Sequence, residues 1–123
     1  PNLTHLFVGS EGTLGVITQV TLQIRRNFPV HHTLCCQFDE ISQAIHFVIA
    51  MKGSIPFRRI ELLDKLQTAA CIQFSKNTSL HENKHTVIIE LAGHPATVKE
   101  QIQLLTESLQ TYRALNIQNY PDI

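Results

Sequence analysis

Residues 33–53, TLCCQFDEISQAIHFVIAMKG, carry the clearest signal for a strand that leads into a helix. Residues 33–38 are rich in β-forming side chains and predict a short strand. Asp39 can then cap a helix that ends at Gly53. We expect the inward side of this helix to consist of Ile41, Ala44, Ile45, Val48 and Ile49. The stretch therefore predicts a strand followed by a helix that packs back onto it.

The same succession is repeated downstream. Residues 57–62 predict a second strand, and Asp64 can cap a second helix. We expect the inward residues of that helix to be Leu66, Ala69, Ala70 and Phe74. The polar run 75–84 predicts a surface loop.

A third strand and helix follow this loop. Residues 86–91 are dense in β-branched side chains, and Pro95 suits the first position of a helix. The inward residues of this helix are predicted to be Val98, Ile102, Leu105, Leu109 and Tyr112. Residues 115–119 predict a closing strand. The order of elements predicts an α+β fold, a ferredoxin-like antiparallel sheet with helices on one face.

Length and charge limit the classes of function. The 123 residues suffice for one compact domain, and 10 basic residues balance 10 acidic ones. This balance argues against a nucleic-acid partner or an anionic membrane surface. No apolar run approaches the roughly 20 residues of a transmembrane segment, so we expect none. A small or neutral molecule is the favoured partner.

Cysteine and histidine do not form a recognisable metal site in the sequence. Cys35 and Cys36 are adjacent in the predicted strand, and Cys71 falls in a helix, so we expect buried free thiols and a reducing compartment. The seven histidines lack zinc-ligand spacing. We therefore predict no metal ligands in this chain.

Upstream of the predicted sheet, LFVGSEGTLGVIT occupies residues 6–18 and carries three glycines within seven residues. Glycines let bare backbone N–H groups approach an anion or a flat heterocycle, although the spacing also suits a purely structural turn. Residues 15–24 then alternate as in a half-buried strand, with Val16, Val20, Leu22 and Ile24 on the apolar side. Arg25–Arg26 and Pro29 interrupt the pattern. We therefore place a domain boundary between residues 28 and 29.

The glycine-rich stretch resembles the segment that closes the FAD-binding domain of the FAD-linked oxidase superfamily, the vanillyl-alcohol oxidase type. The resemblance implies that the loop lies along FAD near its adenine end. The implied cofactor contacts are Glu11, Gly12, Gly15, Val16 and Ile17. Gln19 departs from the family, which commonly carries Glu there.

The resemblance continues beyond the loop. The stretch RRIELLD, residues 58–64, followed by AAC at 69–71, is similar to the start of the substrate domain in cytochrome-linked D-lactate dehydrogenases, and so is IEL at 89–91. The resemblance implies residues 1–28 as the end of an FAD-binding domain and 29–123 as the first part of a cap domain that roofs the flavin ring. Glu61 and Asp64 are interpreted as a strand-end residue and a helix cap rather than as catalytic acids.

The function that this resemblance implies is FAD-dependent oxidation of a 2-hydroxy acid, with D-lactate favoured and an electron acceptor completing the reaction. Family members carry their phosphate loop, catalytic His, substrate Arg and metal ligands outside the part that resembles this chain. We therefore expect no catalytic residue here and poor retention of FAD by the chain alone. The expected location is the cytoplasm, with mitochondria as the alternative.

Other interpretations remain open. The same motifs occur in D-2-hydroxyglutarate and glycolate enzymes, and alkyl-glycerone-phosphate synthase shares the loop. A different class of function is a stand-alone ferredoxin-like module that binds a partner or forms a homodimer. The glycine-rich loop discriminates between the two classes, because it has no purpose without a flavin.

Overall fold

The computed structural model of the chain describes residues 3–24, 27–76 and 79–121. The predicted break at Arg25–Arg26 lies outside the described residues. The helices and strands, in order, are α1 (Thr4–Phe7), β1 (Val30–Phe38), α2 (Ile41–Lys52), β2 (Arg59–Leu63), α3 (Lys65–Ser75), β3 (His85–Gly93), α4 (Pro95–Thr111) and β4 (Leu115–Pro121).

The four strands form one antiparallel sheet in the order β2-β3-β1-β4. Strand β1 lies in the interior of the sheet and pairs with β3 and β4, whereas β2 and β4 are the edges. Leu34 is opposite Ile89 in β3 and Asn119 in β4. This is the ferredoxin-like strand order, and it confirms the predicted fold class.

The hydrophobic core lies between one face of the sheet and the helices α2 and α4. The period of two along β1 and β3 brings alternate side chains to this face. Phe47 of α2 packs at 5.8 Å, between ring centroids, from both Phe38 and Tyr112. The principal core residues are Leu34, Cys36, Phe38, Ala44, Phe47, Ile55, Val87, Ile89, Leu91, Val98, Leu105 and Leu109. Burial of each large apolar side chain contributes roughly 1.5–3 kcal/mol.

Helix α2 differs from the prediction in its cap and in its buried side. Glu40, not Asp39, is the N-cap, and its side chain accepts from the backbone of Gln43 while the Gln43 side chain accepts from Glu40 N at 3.1 Å. The buried residues are Ala44 and Phe47, whereas three residues of the predicted stripe remain substantially exposed: Ile41, Ile45 and Ile49. The helix is turned because the large Phe47 ring fills the space between Phe38 and Tyr112.

The second face of the sheet bears His31, Thr33, Cys35 and Gln37 of β1, and we call it the polar face. Helix α3 packs on one end of this face, where Thr68 Oγ1 donates to Thr86 Oγ1 at 3.0 Å. The prediction placed the helices on one face of the sheet. This holds for α2 and α4, whereas α3 lies on the opposite face.

The predicted inward side of α3 is wrong. Leu66 is 80% exposed and Phe74 is 93% exposed, and the buried residue of the helix is Thr68. The buried side chain of the helix contacts the sheet through its hydroxyl group, which donates to Thr86 Oγ1.

The predicted strand over residues 15–24 is not formed. None of these residues is in a strand, and Val16 and Ile24 are 91% and 93% exposed. Within the described part of the chain, residues 14–24 make no backbone hydrogen bond. A single strand cannot satisfy its backbone groups without a neighbour, and neither sheet edge supplies one here.

Asp64 is the N-cap of α3, as predicted. Its Oδ1 accepts from Gln67 N at 2.7 Å, and Gln67 Oε1 accepts from Asp64 N at 3.2 Å. We expect Asp64→Ala to lower the free energy of unfolding by about 0.5–2 kcal/mol because the bond from Gln67 N to the Asp64 side chain is lost. Urea unfolding measures the change. Asp39→Ala is the matched control, because Asp39 caps no helix and makes an exposed ion pair with Lys84, so its loss should stay within about 0.5 kcal/mol. Equal losses for the two variants would contradict this role of Asp64.

The exposure of residues 16–24 predicts their hydrogen exchange. We expect their amides to exchange within about tenfold of the unfolded-chain rate, because they lack backbone partners. Residues 87–91, in a strand that is paired on both sides, should exchange with the slowest class of amides. Exchange followed by NMR on the chain tests this, and equal protection of the two segments would refute it.

Candidate functional site

The polar face is closed at one end by a hydrogen-bonded network around Gln37. The buried Gln37 amide donates to His81 O and to Thr86 Oγ1, each at 3.0 Å. Its oxygen accepts from His81 N at 3.0 Å and from Asn116 Nδ2 at 2.8 Å. Every donor and acceptor position of the Gln37 amide is used. This end of the polar face therefore has a structural role.

The other end of the polar face carries a cluster of charges around Glu90. Arg58 Nη1 donates to Glu90 Oε1 at 2.8 Å, and His31 Nδ1 lies 3.4 Å from the same oxygen. Arg58 also contacts the His31 ring. Arg59 Nε lies 3.7 Å from Glu90 Oε2. One carboxylate therefore faces two guanidinium groups and an imidazole.

Burial within this cluster is graded from the acid outward. The Glu90 side chain is 18% exposed, whereas those of Arg58 and Arg59 are 46% and 66% exposed. The negative charge thus lies inside and the positive charges lie at the surface.

The strand register extends this cluster across the sheet. Arg59 is opposite Glu90, Glu90 is opposite Thr33, and Thr33 is opposite Tyr120. Side chains directly opposite one another on adjacent strands have Cβ atoms about 4.5–5.5 Å apart. We call these four residues the polar row. It crosses all four strands on the polar face, and its ionic part continues into Arg58 and His31.

The thiols of Cys35 and Cys36 are not nucleophiles in this fold. Burial, with a smaller effect from Cys71, raises the pKa of the Cys35 thiol to about 11. Burial likewise raises the pKa of Cys36 far above its ordinary value. Both stay protonated at neutral pH, and the thiolate is the reactive form. The three cysteines are free, as predicted, but Cys71 is half-buried whereas Cys35 and Cys36 are buried.

Metal-binding groups do not converge in the described ranges 3–24, 27–76 and 79–121, where no three His, Cys, Asp or Glu side chains come together. The buried His32 is held by Asn119, with Nε2 and Oδ1 3.0 Å apart. Among the helices in these ranges, none is both long and apolar enough to cross a membrane.

The glycine-rich loop is stabilised by local turns. Ser10 N donates to Phe7 O at 3.2 Å, and both the amide and the hydroxyl of Thr13 donate to Ser10 O, at 2.9 and 2.7 Å. Gly12 has a φ of +79°, and a Cβ built on it would meet nothing within 4 Å. The loop therefore presents open backbone at a position that favours glycine.

The predicted cofactor residues lie on this exposed loop and the segment that follows it. Glu11, Gly12, Gly15, Val16 and Ile17 are all exposed. They are contiguous in sequence but do not form an enclosed pocket with one another.

Arg58, Arg59 and Glu90 lie in motifs that the sequence analysis identified, but their contact in the folded chain was not predicted. The available signal was Glu90 itself, a charged residue between Ile89 and Leu91 in an otherwise apolar strand. Asp64 caps α3, as predicted, whereas Glu61 lies in the middle of β2 and not at its end.

Comparison with known proteins identifies the family. The profile of the FAD linked oxidases, C-terminal domain, matches residues 29–119. The chain is 34% identical over 107 residues to a probable mitochondrial D-lactate dehydrogenase of Danio rerio. The aligned residues cover 86% of this chain and 21% of the relative. It is 38% identical over 108 residues to the mitochondrial D-lactate dehydrogenase [cytochrome] of Arabidopsis thaliana, covering 86% and 18%. The chain thus spans about a fifth of the length of these relatives.

Other relatives include the glycolate oxidase subunit GlcD of Escherichia coli and the mitochondrial D-2-hydroxyglutarate dehydrogenase of Danio rerio, each 32% identical. Among solved structures, alkyldihydroxyacetonephosphate synthase superposes with a TM-score of 0.61 at 18% identity, covering 94% of this chain and 25% of that one. This structural likeness supports the fold. Because the family profile covers residues 29–119, most of the chain, the chain belongs to the family of FAD linked oxidases through their C-terminal domain.

Proposed function

We propose that this chain is part of an FAD-dependent dehydrogenase that oxidises a 2-hydroxy acid, with D-lactate as the substrate. The observation that carries the proposal is the 34–38% identity, over 86% of the chain, to two proteins named as D-lactate dehydrogenases. In this proposal, residues 1–28 end the FAD-binding domain and residues 29–123 begin the C-terminal domain. Mitochondria are the favoured location, because both of these relatives are named as mitochondrial.

The glycine-rich loop is the part of the chain that would meet FAD. Its backbone at Gly12 is open, and a flat ring system or an anion can approach N–H groups there without meeting a side chain. We propose Glu11, Gly12, Gly15, Val16 and Ile17 as the contacts on the adenine side. Their exposure supports a surface that becomes covered by a cofactor and its domain.

In the proposed reaction, bound FAD supplies the acceptor for the hydride that leaves the substrate's C2 carbon. The contribution of this chain is binding and shape. The loop holds one end of the cofactor, and the sheet supplies a rigid wall, because its helix-covered face is fully packed. Glu61 and Asp64 belong to the scaffold, since Asp64 is occupied as a helix cap.

There are two alternatives, one within the class of FAD-dependent 2-hydroxy-acid dehydrogenases and one outside it. A glycolate or D-2-hydroxyglutarate dehydrogenase is supported by the two relatives with those names. A stand-alone ferredoxin-like module is the other, and it would leave the glycine-rich loop without a ligand.

The substrate is tested with the full-length protein that contains this chain, purified with its flavin. We expect D-lactate to reduce the flavin under anaerobic conditions, seen as bleaching of the oxidised-flavin absorbance. D-lactate should exceed glycolate in kcat/KM by at least about tenfold, since the methyl group is worth roughly 10–200-fold in a fitted pocket. Faster reduction by glycolate or D-2-hydroxyglutarate would reassign the substrate, and a protein without flavin would favour the module.

The role of the loop is tested by Gly12→Val in the same full-length protein. We expect loss of flavin, because Val disfavours the φ of +79° and fills the space open to the cofactor. Flavin content per protein, from absorbance after denaturation, measures the loss. Gly53→Val is the matched control, because Gly53 has a φ of −89° and open space around it. Normal flavin content in Gly12→Val would contradict the proposed contact.

A further inference from the structure

We infer that the chain forms a symmetric dimer in which β2 of one copy pairs antiparallel with β2 of a second copy. The two four-stranded sheets then join into one continuous sheet, and α2 of each copy lies beside the junction. The proposed function concerns the glycine-rich loop, so the dimer is independent of it.

An apolar groove lies between α2 and β2 on the helix-covered face of the sheet. Leu62 is opposite the buried Val87, so it belongs to this face, yet it is 37% exposed. The hydrophobic core therefore continues to the surface on this side of the domain. The groove has a volume of about 160 Å³ and is lined by Ile45, Val48, Ile49, Ile60 and Leu62.

Strand β2 is the more available of the two edges of the sheet. Within the described part of the chain, no strand lies beyond it, and an edge strand carries unpaired backbone N–H and C=O groups along its outer side. At the other edge, the side chains of Asn116 and Gln118 in β4 both donate to Ser79 O at 2.6 Å. Pro121 in β4 also lacks a backbone donor. An added strand is therefore accommodated best at β2.

The charges of β2 are complementary to those of a second β2. Arg59 and Glu61 flank Ile60, and both are exposed. In an antiparallel pair centred on Ile60, Arg59 of each copy lies opposite Glu61 of the other. Opposite charges at such positions stabilise a strand pair, whereas like charges destabilise it. Centring the pair on Arg59 or on Glu61 would instead place two like charges opposite each other.

The apolar side of β2 favours the same register. Centring on Ile60 places this residue opposite its own copy and brings the two grooves together at the two-fold axis. Ile45 and Ile49 of α2 are 40% and 66% exposed, and they flank this axis through the groove that they line. A shift of one residue would turn the groove of one copy toward the polar face of the other. The ion pairs and the apolar contact therefore agree on one register.

The existing contact of Arg59 is compatible with a second carboxylate. Its Nε lies 3.7 Å from Glu90 Oε2, and the guanidinium group has further N–H donors at its terminal nitrogens. Glu61 is opposite Ile88 within its own sheet, so it has no charged residue across from it on β3. In the dimer, each Arg59 lies between Glu90 of its own copy and Glu61 of the second copy.

The test measures the mass of the 123-residue chain by sedimentation equilibrium over a range of concentrations. We expect a dimer with a Kd of about 1–100 µM, because a short strand pair with one groove on each copy forms a small interface. Glu61→Arg should raise this Kd at least about tenfold, since both ion pairs become pairs of like charges. Arg59→Glu should do the same.

Mixing these two variants separates the interface from a change in net charge or in folding. Each variant dimerises poorly with itself, but in an equal mixture every Arg of one lies opposite a Glu of the other. We expect the mixture to form a heterodimer with a Kd within about threefold of the wild type, because the two opposite-charge pairs are restored. Melting temperature is measured for each variant.

The groove provides a second test, which also serves if Arg59→Glu does not fold. Ile49→Asp places a charge in the groove and should raise the Kd at least about tenfold, because the charge would be desolvated in the dimer. Leu104→Asp is the matched control. Leu104 is 46% exposed on α4, outside the lining of the groove, so its Kd should equal that of the wild type.

Three outcomes overturn the dimer. One is a chain that stays monomeric well above this concentration range. Another is a dimer whose Kd is unchanged in Glu61→Arg and Ile49→Asp, since it would use another surface. The third comes from the full-length protein: if it is a monomer in which the amides of β2 exchange as slowly as those of β3, another segment of the polypeptide occupies this edge.

Discussion

Gln37 is a fully buried amide in an interior strand of the sheet, and its four hydrogen bonds constrain much of the domain around it. An unpartnered amide at this depth would cost roughly 1–3 kcal/mol, so its partners must be held in place. They come from the loop at His81, from β3 at Thr86 and from β4 at Asn116. Thr86 in turn accepts from Thr68 and so places α3. This chain of hydrogen bonds ties α3 to the face of the sheet opposite α2 and α4.

The two ends of the polar face differ in how far their polar groups are enclosed. Around Gln37, polar groups are satisfied by one another and are covered by α3 and the loop. Around Glu90, the acid is largely buried while the arginine side chains remain at the surface. The first arrangement stabilises the fold. The second lies at the end of the sheet where β1 begins.

Local signals in the sequence predicted most elements of the fold. The Asp64 cap, the Gly53 helix end and the buried side of α4 depend on neighbouring residues, and the structure has them as predicted. The predictions of the buried sides of α2 and α3 were wrong. An apolar stripe shows that a helix is amphipathic, but it does not show which surface the helix packs against. Phe47 is buried by two aromatic rings that are distant in sequence.

The candidate site likewise has one part that is local in sequence and one part that depends on the strand register. The glycine-rich loop is contiguous, so its residues could be identified from the sequence, although its contact with FAD depends on a partner domain. The polar row could not, because only the strand register joins Arg59, Glu90, Thr33 and Tyr120. A shift of one residue in that register would turn Glu90 toward the core and Ile89 toward the polar face. The burial of Leu34, Ile89 and Leu91 opposes such a shift, so the packing of the helix-covered face holds the charged row on the other.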